Sequence, residues 1–198
     1  MDKVKHFKKR ISEGTIEVEP FNHCFIENIF PDSYYQEFLS SIPYHIFYEI
    51  GDKGLLEVKN DFDKFEKKEF WKDFVEFMYS DEVQDTLITK FNVKRGRPEV
   101  MLYFNKMNYQ LGPHLDRNDK LFTSLFYLPK DESQLNLGTV LCTCEEYKPF
   151  NWKYFKIVKK IPFKPNSFFC FFGNRSYHGV EEIKEDVVRY TMQYLIRS

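Results

Sequence analysis

The stretch Gly112-Pro113-His114-Leu115-Asp116 sets an imidazole and a carboxylate two residues apart. On a β-strand, residues two apart face the same side, so His114 and Asp116 are expected to reach one ion together. An imidazole and a carboxylate are two of the three ligands in the two-histidine, one-carboxylate triad that holds non-haem Fe(II). That triad leaves adjacent positions open for a keto acid and dioxygen. The third ligand falls to His178, the only histidine after His114, in Arg175-Ser176-Tyr177-His178-Gly179-Val180. The glycine beside it would let backbone or substrate approach closely. Arg189 and Thr191 follow on the last apolar run and share a face, with Gln193 one step along. A guanidinium pairs bidentately with a carboxylate and a threonine hydroxyl adds a hydrogen bond, which suits the distal carboxylate of a keto acid.

Each piece has a plainer reading. A His-x-Asp pair occurs often by chance, and it gains meaning here from the later His-Gly and Arg-x-Thr. Arg189 has acidic neighbours, Glu185 and Asp186, with which a surface ion pair would be ordinary. Arg117 directly follows a candidate ligand and is placed to meet an anionic substrate group; a solvated turn residue is the plain alternative. His6, His23 and His45 lie ahead of the β-rich region and are expected to be surface or packing residues.

The elements that must position these residues are legible from periodicity. From Glu99 onward, short β-rich runs alternate with turn residues: 100–107, 113–116, 121–128, 138–144, 155–161, 167–172, 176–180 and 187–196. That is about eight strands, the number of a two-sheet jelly roll. Ahead of them, 15–26 reads as strand material. A helix opens at Pro31-Asp32-Ser33, with Asp32 or Ser33 as its cap, and Pro43 ends it. The segment 44–65 is weakly patterned, with Gly51 and Gly54 marking a turn. Phe70, Trp71, Phe74, Phe77 and Met78 form one helical stripe over 67–79. A second helix follows the break at Ser80-Asp81 and stops near Gly96 and Pro98. The fold class expected is mainly β with flanking helices, a double-stranded β-helix (jelly roll, cupin-like) with N-terminal helices packed on one sheet. A single domain over 1–198 is expected, with 1–98 as support and 99–198 as the β core. Residues 145–154, with Trp152, read as an insertion loop.

Composition narrows the function classes. The chain has 198 residues, 42% of them hydrophobic, which is globular rather than disordered. Its 22 Phe and 13 Tyr should dominate the core. Formal net charge is −1, so no basic field points to nucleic acid. Met1 to Arg10 is locally basic and reads as a solvated terminal arm. The first residues are charged with no apolar stretch after them, so neither a secretory leader nor a membrane span is expected. Cys24, Cys142, Cys144 and Cys170 show no CxxC or zinc spacing, and reduced thiols in a cytoplasmic protein are expected.

Taken together, Pro113-His114-Leu115-Asp116, Thr123-Ser124-Leu125-Phe126-Tyr127-Leu128-Pro129, Leu137-Gly138-Thr139, Pro165-Asn166-Ser167-Phe168, His178-Gly179-Val180 and Arg189-Tyr190-Thr191 resemble the 2-oxoglutarate/Fe(II) oxygenases of the prolyl 4-hydroxylase-like type. The resemblance runs from Glu99 to Ile196, about half the chain, and Phe21 to Pro43 is similar to the family's entry strand and helix. It implies iron held by His114, Asp116 and His178, and 2-oxoglutarate anchored by Arg189 with Thr191 in support. Where family members often carry a tyrosine that touches 2-oxoglutarate, this chain has Asn105, and Tyr103 lies two back on the same face. The family's Gly-Gly appears as Leu137-Gly138.

The chemistry implied is hydroxylation of an unactivated C–H bond of a small molecule or peptide side chain by dioxygen. Succinate and CO2 are co-products, and ascorbate serves as reductant. The carboxylate of Asp116 favours hydroxylation over halogenation. Two competing readings are a non-catalytic metal- or ligand-binding β-roll and a nucleic-acid demethylase. The demethylase branch carries a further arginine on the last strand, where this chain has Leu195.

Overall fold

The computed structural model describes residues 2–44, 54–59, 62–173 and 176–198. The expected turn glycine Gly51, together with His45 and Arg175, lies outside the described residues.

The basic N-terminus is a helix, not a solvated arm. Helix α1 (Lys3–Glu13) is capped by Asp2, whose carboxylate accepts from the Val4 and Lys5 amides. Phe7 and Ile11 are both 0% exposed. They sit one turn apart, so a single apolar stripe docks while Lys5, Lys8 and Lys9 stay in solvent. The Phe7 ring lies 5.6 Å from Phe77 and 6.3 Å from Phe168, both edge-on. Phe7→Ala is therefore expected to cost about 3–5 kcal/mol of stability. A denaturant midpoint series measures this, and a loss under about 1 kcal/mol would show that α1 does not hold the core.

Helices α2 (Asp32–Ser41), α3 (Lys68–Tyr79) and α4 (Asp81–Phe91) complete the helical layer. The expected cap of α2 is absent: Pro31 occupies the N-cap without a side-chain bond, and Asp32 lies in the first turn. There its charge meets the positive end of the helix. Ser80 does cap α4, accepting from the Val83 amide. Helix α4 stops earlier than expected because Asn92 turns left-handed at φ 50°.

Eleven strands are found among the described residues. They are β1 (Ile16–Glu17), β2 (His23–Ile26), β3 (Leu55–Lys59), β4 (Arg97–Asn105), β5 (Leu111–His114), β6 (Lys120–Tyr127), β7 (Val140–Cys144), β8 (Phe155–Lys160), β9 (Ser167–Phe171), β10 (His178–Val180) and β11 (Arg189–Arg197). Each of the eight expected runs appears, as β4 to β11. The weakly patterned segment supplies β3, an edge strand on β4. One sheet has the order β1-β2-β9-β6-β11-β4-β3 and the other β5-β10-β7-β8. All the recorded pairings are antiparallel. This is a mainly β jelly roll with helices on one sheet, as expected.

Strand alternation divides the large sheet into two chemistries. Leu102, Phe104, Phe126, Phe168, Met192 and Tyr194 point to the helices, joining Phe30, Phe38, Trp71 and Phe74 in the main aromatic core. The opposite face packs toward the small sheet, where Tyr127, Phe163, Phe169 and Phe171 form a second cluster. Between the sheets this second face also carries Asn105, Thr123, Arg189 and Thr191, all buried. Among the described residues, no helix is long and apolar enough to cross a membrane. All four cysteines are free thiols.

Candidate metal and keto-acid site

Strands β5 and β10 pair so that His114 and His178 are register partners. Their rings stand 4.5 Å apart between centroids. Gly179 makes this pairing possible, because a Cβ there would lie 2.7 Å from the Leu111 carbonyl oxygen. With Asp116, the two histidines bring one potential ligand atom each within 4.8 Å of one another.

Both imidazoles are oriented in the same way. His114 Nδ1 lies 3.0 Å from the Gly112 carbonyl, and His178 Nδ1 lies 2.8 Å from the Ser176 carbonyl. A carbonyl can only accept, so each Nδ1 carries the proton and each Nε2 offers a lone pair. Burial lowers the pKa of both rings, that of His178 to about 4, so both are neutral near pH 7.

Asp116 is placed differently from expectation. Strand β5 ends at His114, so alternation alone does not position the carboxylate. Instead Lys120 donates to Oδ1 at 2.5 Å and Thr123 donates to Oδ2 at 2.7 Å. Burial works against the charge on Asp116, but the fields of His178 and Lys120 and these two hydrogen bonds hold its carboxyl below the usual range. Lys120 and Thr123 escaped the sequence reading as site residues. Thr123 was within reach of it, since it shares a face of β6 with Leu125 and Tyr127. Lys120 reaches the cavity face through a one-residue register shift at the start of β6, which sets it opposite Arg197 and which no periodicity encodes.

A cavity of about 140 Å³ opens on these groups and is lined also by Tyr103, Asn105, Tyr109, Arg189, Thr191 and Gln193. Arg189 is 3% exposed and forms no ion pair among the described residues, so a surface pairing with Glu185 or Asp186 is not what holds it. Its Nε donates to the Leu137 carbonyl at 2.7 Å, and its Nη1 donates to Asn105 Oδ1 at 2.9 Å and Thr191 Oγ1 at 2.8 Å. The guanidinium lies 5.0 Å from the Phe163 ring centroid and 5.7 Å from that of Tyr127. Its Nη2 and Asn105 Nδ2 are buried without a partner. Gly138 serves this anchor: a Cβ there would meet the Ile161 carbonyl oxygen at 1.6 Å, so only glycine lets the chain lie against β8 and present the Leu137 carbonyl. Leu137-Gly138 precedes β7 rather than lying within it.

Tyr103 lines the cavity and donates to Gln193 Oε1 at 3.3 Å, and burial keeps its phenol protonated. Tyr109 offers a second phenol that the spacing did not single out. Arg117 does not enter this cavity. Its guanidinium lies 3.2 Å from Asp119 and its side chain is 81% exposed, so it belongs to the rim. Of the N-terminal histidines, His23 is buried with Nδ1 on the Phe21 carbonyl, and His6 Nε2 meets the Asn28 carbonyl, as packing and surface groups.

The insertion loop docks on the site. Phe150 stacks on His114 at 5.1 Å, and its amide donates to the Pro113 carbonyl at 2.9 Å. Tyr147 accepts from the Leu115 amide at 3.2 Å.

No protein-family model and no curated protein sequence matches the chain. Solved structures do match in fold. A prolyl hydroxylase from Trichoplax adhaerens, in complex with a hypoxia inducible factor peptide fragment, superposes with a TM-score of 0.60 at 14% identity, over 98% of this chain and 88% of that one. A prolyl 4-hydroxylase from Phytophthora capsici gives 0.67 at 13% identity, over 100% of this chain and 66% of that one. HygX from Streptomyces hygroscopicus, with nickel and 2-oxoglutarate bound, gives 0.58 at 11% identity, over 88% of this chain and 82% of that one. The chain has the double-stranded β-helix fold of prolyl hydroxylases and 2-oxoglutarate-dependent oxygenases.

Proposed function

We propose that the protein is an Fe(II)- and 2-oxoglutarate-dependent dioxygenase that hydroxylates an unactivated C–H bond of a small molecule or a peptide side chain. The observation that carries this reading is the pair of buried, unpartnered donors, Arg189 Nη2 and Asn105 Nδ2, in the cavity that also holds two neutral histidines and a carboxylate. An orphaned buried donor costs about 1–3 kcal/mol, more when charged, so the wall is built for an acceptor absent from the chain itself. A carboxylate supplies that acceptor, and two imidazole nitrogens with one carboxylate suit Fe(II). The residues therefore fit both groups.

His114, Asp116 and His178 would hold the metal, and Arg189, with Asn105 and Thr191, would hold the far carboxylate of 2-oxoglutarate. When bound, the iron and cosubstrate supply dioxygen activation, with succinate and CO2 as co-products. The chain's own part is geometric and electrostatic. The Gly112 and Ser176 carbonyls aim both imidazoles, Thr123 and Lys120 hold the carboxylate, and Phe163 and Tyr127 fix the guanidinium plane. The peptide fragment bound to the prolyl hydroxylase that shares this fold supports the peptide reading.

The test is succinate formation from 2-oxoglutarate on addition of Fe(II) and ascorbate, with and without candidate substrates. Succinate is expected even without substrate, from uncoupled turnover. No succinate across varied substrates would favour a non-catalytic binding module.

A further inference from the structure

One charged side chain in the cavity has no role in the proposed function beyond steadying Asp116. Lys120 is 16% exposed at its side chain and makes its ion pair with Asp116. It lines the inner cavity and also an outer one of about 450 Å³. Asp116, Thr123 and Phe171 are likewise common to both, so Lys120 stands where the outer cavity meets the candidate metal site. The wall of the outer cavity also carries the apolar Leu115, Leu121 and Phe172 beside the polar Arg117, Asn118 and Ser176. The other cation among its described lining residues, Arg117, is paired with Asp119.

Charge bookkeeping separates Lys120 from the rest of the site. Among the described residues, the inner cavity is lined by three charged side chains, Asp116, Lys120 and Arg189. A dication and the single charges of Asp116 and Arg189 are balanced by a doubly anionic keto acid. Lys120 then remains as a surplus positive charge, because the carboxylate it faces is shared with the metal. Its ion pair with Asp116 weakens once that carboxylate is shared, and a charge this enclosed then favours a second anion. Its four-carbon stem lets the ammonium turn toward the outer cavity while the methylenes stay packed.

We infer that Lys120 binds an anionic group of the substrate, so that the substrate class is a carboxylate with an apolar body lying along Leu115, Leu121 and Phe172. This rests on the reading of the site given under Proposed function. It also moves to Lys120 the anion-binding role that the sequence pointed to at Arg117.

The test uses protein loaded with Mn(II) and saturating 2-oxoglutarate under anaerobic conditions, so that Arg189 is occupied and no turnover occurs. The probes are 3-phenylpropionate and its neutral isostere 3-phenylpropionamide, titrated by calorimetry. The carboxylate is expected to bind at least about tenfold tighter than the amide, about 1.4 kcal/mol. Lys120→Met is expected to abolish that preference and Lys120→Arg to keep it, with thermal melting run on each variant. Equal binding of the two probes, binding of neither, or a preference that survives in Lys120→Met overturns the inference. If Lys120→Met does not load with metal, Arg117→Ala decides: the carboxylate preference is expected to persist in it, and its loss overturns the inference. Mn(II) and 2-oxoglutarate binding are measured on the same samples. Their failure would sink the proposed function, whereas their success without anion preference would sink only the role of Lys120.

Discussion

His114→Ala and Asp116→Ala are each expected to reduce iron-dependent succinate formation to background. They should also weaken metal binding by more than about 100-fold, the upper range for losing merely a supporting group around a metal. The reasoning is geometric. The three candidate ligand atoms lie within 4.8 Å of one another, and no other such cluster of His, Cys, Asp and Glu is found among the described residues. The fold should survive both changes, because these residues line a cavity rather than the aromatic cores. His114→Ala is the cleaner variant, since Asp116→Ala also strips Lys120 of its partner. Metal titration, succinate assay and thermal melting together read the result. Full turnover in either variant would remove these residues from the site.

Arg189→Ala is expected to act on the cosubstrate. Its guanidinium is the buried cation free of a carboxylate partner, and it is already aimed by Leu137, Asn105 and Thr191. A hydrogen bond to a charged group contributes about 1.5–3 kcal/mol, so the KM for 2-oxoglutarate should rise by about 10- to 100-fold. Metal affinity measured without 2-oxoglutarate should stay near that of the unaltered protein. Arg189→Lys retains the charge but not the planar fork and should fall between the two. An unchanged KM in Arg189→Ala would place the anchor elsewhere.

Much of the fold was legible because its two periods are clean. The helical stripe through Phe70, Trp71, Phe74 and Phe77 and the period-two runs after Glu99 each describe a surface buried on one side. Arg189 and Thr191 were readable for the same reason, being on the polar face of an otherwise apolar strand. What escaped has a physical cause in each case. In α1 the density of lysines masked a stripe of only Val4, Phe7 and Ile11, which counts as apolar once a sheet is there to meet it. Among the described residues, strand β3 pairs along one edge only and shows no deeply buried face, so its pattern is weak. Asp116 was singled out by its spacing from His114 and does lie with the two histidines, yet what places it is Thr123 and Lys120, contacts between segments that spacing does not describe. The coupling of Phe150 to His114 likewise depends on how the loop closes over β5.

The alternation along β11 has a consequence for how this protein tolerates change. The strand is bonded to β4 and β6, and its residues alternate between the cavity and the helical core: Arg189, Thr191 and Gln193 on one side, Tyr190, Met192 and Tyr194 on the other. Site and scaffold are thus two messages interleaved letter by letter in one short text. A point substitution corrupts a letter of one message. Insertion or deletion of a single residue within the strand swaps the messages on one side of it, driving polar groups of the site toward the aromatic core and a tyrosine into the cavity. The strand should accept many changes of spelling but almost none of reading frame, so variation in chain length is expected to collect in the loops before Val187 and not within 189–197.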